Sequence, residues 1–88
     1  MAREYNLSEL VGGDQFSTAR GRSFIIKDGK IYKRGPYGAS YFVQIRKRDV
    51  TMELGLRDYE AEIFKYSTLD NLADSLKKSR MKSHRKVR

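Results

Sequence analysis

The chain has 88 residues, of which 39% are hydrophobic, and 19 Lys or Arg against 11 Asp or Glu give a net charge of +8. That length builds one small domain, while the absence of Cys and a single His exclude disulfides, a Cys nucleophile and zinc sites built on Cys or on three His. No run reaches the roughly 18 apolar residues of a membrane span, and residues 1–14 lack the apolar stretch of a secretory signal, so the chain reads as cytoplasmic or nucleoid-associated.

Leu7, Leu10 and Val11 recur at helical spacing, Asn6 or Ser8 is a candidate cap, and Gly12-Gly13 stops the helix. Residues 6–11 therefore read as one or two turns, and 12–22 as a loop anchored by Phe16. Next come Ser23-Phe24-Ile25-Ile26-Lys27 and Lys30-Ile31-Tyr32-Lys33-Arg34, either side of Asp28-Gly29. An Asp-Gly pair between two β-rich runs predicts a two-residue type I′ hairpin, which needs positive φ at both central positions. The turn sets the register: Lys27 faces Lys30, Ile26 faces Ile31, Ile25 faces Tyr32 and Phe24 faces Lys33.

Gly35-Pro36-Tyr37-Gly38-Ala39 reads as a tight connection and residues 41–47 as a third strand. Val50, Met52, Leu54 and Leu56 alternate with Thr51, Glu53, Gly55 and Arg57, which predicts a fourth strand. Residues 60–66 read as a short fifth strand, with a helix start at Tyr59-Glu60-Ala61-Glu62 as the alternative. Ser67-Thr68-Leu69-Asp70 resembles a capping box, and Leu69, Leu72, Ala73 and Leu76 predict an amphipathic helix of about four turns. The fold class expected is α+β: a small antiparallel sheet of three to five strands packed on a C-terminal helix. Its layout is an N-terminal turn and loop (1–22), the sheet-and-helix domain (23–80) and a basic tail (81–88).

The charge falls in blocks. Residues 1–76 carry twelve basic and eleven acidic side chains, whereas 77–88 carry seven basic ones and no acid. Within the first part, residues 20–48 hold nine cations against Asp28 alone, and 49–76 hold seven acids against Arg57 and Lys65. A block of like charge resists burial and attracts a polyanion. Met81 and Val87 are the tail's only apolar anchors, too few for a membrane surface, so nucleic acid is the partner expected, with DNA favoured over RNA.

One sheet face is expected to carry Phe24, Ile26, Ile31, Tyr41, Val43 and Ile45, with strand four adding Val50, Met52, Leu54 and Leu56, and to receive the helix. The other is expected to carry Ile25, Lys27, Lys30, Tyr32, Arg34, Phe42, Gln44 and Arg46. Cations neutralise phosphate, Arg and Gln pair with base edges, and rings stack on unpaired bases. The residues expected to bind nucleic acid are Arg20, Arg22, Lys27, Lys30, Tyr32, Lys33, Arg34, Tyr37, Gln44, Arg46 and Arg48, with Lys77, Lys78, Arg80, Lys82, Arg85, Lys86 and Arg88 at the C-terminal end.

No enzyme constellation is legible: His84 sits in the tail with no fixed acid or nucleophile, and no cofactor or metal is expected. Asp49, Glu53, Asp58, Glu60 and Glu62 read as solvated surface. The function expected is a small basic protein binding double-stranded DNA through a sheet face and tail. The alternatives are an RNA-binding protein, or a phage- or plasmid-type accessory protein that modulates a host protein or nucleoprotein complex through its acidic 49–62 region.

Overall fold

The computed structural model of the chain describes residues 3–79. It has an α+β architecture, with five antiparallel strands, β1 (Glu4–Asn6), β2 (Asp14–Ser17), β3 (Ser23–Lys27), β4 (Lys30–Arg34) and β5 (Tyr41–Ile45), followed by α1 (Val50–Leu54), α2 (Asp58–Tyr66) and α3 (Leu72–Lys78). The strand order is β1-β5-β4-β3-β2. Four consecutive strands thus form a meander, and β1 closes the far edge.

The central hairpin follows its turn chemistry. Asp28 and Gly29 have φ of 51° and 72°, and the register pairs Lys27 with Lys30, Ile26 with Ile31, Ile25 with Tyr32 and Phe24 with Lys33. β5 joins β4 with Ile31 opposite Ile45 and Tyr32 opposite Gln44. Because directly opposed residues share a face, Val43 and Ile45 lie on the Phe24/Ile26/Ile31 side and Phe42 and Gln44 on the other.

The first face packs against all three helices. Phe16, Phe24, Ile26, Ile31, Val50, Leu54, Leu56, Phe64, Leu72 and Leu76 form one buried cluster. Phe24 is at its centre, with ring centroids 5.6 Å from both Phe16 and Phe64. The second face is partly closed by the chain itself. Since β1 and β2 lie on opposite edges, residues 7–13 must cross the sheet between them, and Leu10 comes down on Ile25, Tyr32 and Phe42 with Tyr5 at the side. This crossing is a 3-10 turn, Leu7–Leu10, capped by Asn6: its side chain accepts the Glu9 N–H while Glu9 accepts the Asn6 N–H at 2.9 Å. The Asn6 N–H, then Arg3, hold the Glu9 carboxyl below its ordinary pKa. Gly13 lets the crossing run close, as a Cβ there would stand 2.7 Å from Ile25 Cγ2.

Four expectations are corrected. The 12–22 loop contains strand β2, whose Phe16 pairs with Phe24, and β1 also joins the sheet, beside β5. The expected fourth strand is helix α1. Val50 and Leu54, four apart, are buried together, whereas Met52 is 80% exposed. A strand there would have no place beside β5, because β4 and β1 already occupy its two edges. Gly55, at φ 59° and ψ 47°, ends the helix in the left-handed conformation with its N–H on the Thr51 carbonyl. A Met52→Glu substitution is therefore expected to change stability by no more than about 0.5 kcal/mol in a thermal melt, as at other surface positions; a large loss would restore the strand reading.

The expected fifth strand is helix α2, with Glu60 and Phe64 buried one turn apart. The C-terminal helix is shorter than its periodicity implies. Asn71 donates its N–H to the Thr68 hydroxyl and carbonyl, which holds Leu69 and Asp70 in a turn, and α3 starts only at Leu72. Leu72 and Leu76 are fully buried while Leu69 is 38% exposed. No helix among the described residues is long and apolar enough to cross a membrane.

Candidate nucleic-acid interface

The β2–β3 connection is a tight loop, Thr18-Ala19-Arg20-Gly21-Arg22. The Thr18 N–H bonds the Arg22 carbonyl at 2.9 Å, and the Arg22 N–H returns to the Thr18 hydroxyl at 3.1 Å. The loop is fixed from below by Glu60, which is fully buried. One carboxylate oxygen accepts the Ala19 N–H at 2.7 Å and the other the Arg57 N–H at 2.9 Å. A single acid therefore caps α2 and braces the loop that carries Arg20 and Arg22. Those two side chains run over Gly55, where a Cβ would lie 3.5 Å from Arg20 Cδ and 3.6 Å from Arg22 Nε.

Beside this loop, the β4–β5 connection folds as a 3-10 turn, Pro36–Gly38. Gly35 donates its N–H to the Tyr41 carbonyl at 3.0 Å and Ala39 to that of Pro36 at 3.1 Å. The two loops and the end of α1 enclose an open cleft of about 440 Å³ whose lining includes Arg22, Lys33, Arg34, Tyr37 and Glu53. Lys33 Nζ pairs with Glu53 at 2.8 Å. Three cations against one acid leave the cleft positively charged, as an anion site requires.

Tyr37 stands at the rim, 104% exposed, with φ 56° and ψ 36°. For a bulky residue this left-handed conformation is an outlier. Its side chain makes no hydrogen bond or ring contact among the described residues, unlike Tyr5, which meets Tyr32 edge-on at 5.0 Å.

The structure brings Arg20, Arg22, Lys33, Arg34 and Tyr37 to one end of the sheet. The other expected residues are dispersed. Lys27 and Lys30 are at the opposite end of the hairpin, where Lys27 Nζ donates to the Glu9 carbonyl at 3.0 Å. Tyr32 is only 6% exposed under Leu10. Burial pushes its phenol above the ordinary pKa, and its ring offers no open face to a base. Gln44 is exposed, Arg46 pairs with Asp49 at 3.0 Å, and Arg48 lines a separate cleft between α1 and α2. Lys77 is tied to Asp14 at 3.1 Å and Lys78 ends α3. Arg80, Lys82, Arg85, Lys86 and Arg88 lie outside the described residues. Arg20, Lys30, Arg48 and Lys78 form no ion pair among the described residues, and Arg34 lies 5.9 Å from the centre of the Phe42 ring.

Three residues escape the sequence reading: Glu53, Gly55 and Glu60. Glu60 occupies the third position of α2, where a carboxylate reaches back to the N-cap; that spacing is its one sequence signal. The acidic block is not a metal cluster, since no group of three or more potential ligands occurs among the described residues. Nor is it uniformly solvated, because Asp49, Glu53 and Glu60 are engaged internally and only Asp58 and Glu62 stand free among the described residues. Compared with protein-family models, curated proteins and solved structures, the chain matches none.

Proposed function

We propose that this protein binds nucleic acid, DNA by preference, by holding phosphates at the arginine-bearing end of its sheet and along its basic tail. The observation that carries the reading is the cleft between the 18–22 and 35–40 loops, whose lining includes Arg22, Lys33 and Arg34. Arg20 stands beside it, and Lys30 lies on the same sheet face as Arg34, four residues along β4. At about 3.3 Å per residue, the Cα atoms of those two residues are about 13 Å apart, so the two cations can meet different phosphates of one strand. The burial of Tyr32, Ile25 and Phe42 makes the middle of the face structural, so phosphate contacts carry the affinity here. The chain lacks the aromatic RNP pattern of a common RNA-binding module, which favours DNA, although Gly35-Pro36-Tyr37-Gly38 fits the Gly-x-x-Gly spacing of another.

The test is a titration against double-stranded DNA, single-stranded DNA and RNA of one length at two salt concentrations. Tight binding that weakens steeply with salt supports the reading; weak, salt-insensitive binding to all three rejects it. Deleting residues 80–88 removes five cations. The expected result is a uniform loss of affinity across sequences, a shallower salt slope and an unchanged melting temperature. Unchanged affinity would exclude the tail from the interface.

A further inference from the structure

We infer that the cleft receives a nucleotide whose base is unpaired, with its phosphate on the cations that line the cleft and its base stacked on Tyr37. This rests on the nucleic-acid reading above and deepens it. Four observations converge. The Tyr37 ring is wholly exposed and has no partner among the described residues, although an aromatic side chain ordinarily gains most from burial. Its backbone occupies the left-handed region at φ 56°, where glycine sits without penalty and a bulky side chain does not. No packing accounts for a tyrosine there.

The ring also lines the same cleft as Arg22 and Arg34. Finally, Tyr37 is the one aromatic residue that lines this cleft, and Tyr32 and Phe42 on the second sheet face are only 6% and 1% exposed. Bases inside a duplex have both faces covered by neighbours. A protein ring stacks only where a face is open: in a single strand, at an overhang or on an extruded base. An open cleft of about 440 Å³ is of the size that small ligand groups occupy.

The test uses the full chain and its Tyr37→Phe, Tyr37→Ala and Tyr37→Gly variants against a blunt DNA duplex, the same duplex with a three-nucleotide overhang, and the single strand. 2-Aminopurine, whose emission falls on stacking, replaces one overhang base. The wild type and Tyr37→Phe should prefer the overhang to the blunt duplex and quench the probe. Tyr37→Ala and Tyr37→Gly should bind unpaired DNA about 5- to 150-fold more weakly, the usual range for removing one base–aromatic stack, a larger loss than for the blunt duplex. Tyr37→Gly should also melt at a higher temperature than the wild type, because the strained φ is relieved. Salt-sensitive DNA binding that is indifferent to Tyr37→Ala, with no quenching, overturns the stacking inference and leaves the phosphate reading in place. Failure of the wild type to bind any of the three DNAs overturns both.

Discussion

Replacement of Glu60 by alanine is expected to destabilise the fold by about 2–4 kcal/mol, from two stranded backbone donors at about 1–3 kcal/mol each. Both donors are only partly buried, and water recovers a share of each bond, which keeps the loss below the full sum. In a domain of this size each kcal/mol shifts the melting temperature by about 4–8 °C, so the change is easily read by urea or thermal unfolding. Glu60→Gln retains one acceptor and turns an amide donor towards the second N–H, so it should recover less than half of the loss. Amide exchange should accelerate at Ala19 and Arg57 in both variants. A Glu60→Ala protein whose unfolding midpoint stays within experimental error of the wild type would show that the carboxylate braces nothing.

The second large effect is expected in binding. Arg22→Ala combined with Arg34→Ala removes two cations from the cleft. With a slope of about 0.9 per phosphate neutralised, the dependence of log affinity on log salt should become shallower by about 2. Affinity for DNA should fall about 10- to 100-fold near 0.1 M salt, which is about 1.4–2.8 kcal/mol for the two arginines together. The fold should survive, since both side chains are exposed and Arg22 contributes only a long 3.5 Å bond to the Glu53 carbonyl. The readout is a salt series by fluorescence anisotropy, beside a melting curve for each variant. A slope equal to that of the wild type would remove the cleft from the interface.

The parts of the fold that were legible are those set by local chemistry. Asp28-Gly29 determined its hairpin because few turns accept two positive φ values, and the pairings of β3 with β4 followed from it. The phase of β5 followed from alternation. Residues 50–66 were misread because Val50, Met52, Leu54 and Leu56 satisfy a period of two nearly as well as Val50 and Leu54 satisfy a helical turn. What decides between them is remote in sequence: β1 pairs with β5 through Glu4, Tyr5 and Asn6 and fills the edge a fourth strand would have used. The same long-range folding explains the site. Arg22, Lys33, Arg34 and Tyr37 stood out as charge and aromatic surface, but Glu53, Gly55 and Glu60 acquire their roles only when the 53–60 segment folds back under the 18–22 loop. The burial of Tyr32 likewise depends on Leu10, brought across the sheet by a connection that no local pattern announces.

The Lys33–Glu53 pair has a consequence for selectivity. Glu53 already occupies, with its own negative charge, a place an incoming phosphate would take on Lys33. A small free anion entering the cleft must compete with this resident carboxylate and suffers its repulsion, with few other interactions to compensate. A polymer meets the same opposition once and gathers attraction from Arg20, Arg34 and the cations beyond the cleft. If the cleft binds nucleic acid as proposed, Glu53 sets a threshold there that turns away mononucleotides and inorganic phosphate while admitting a strand.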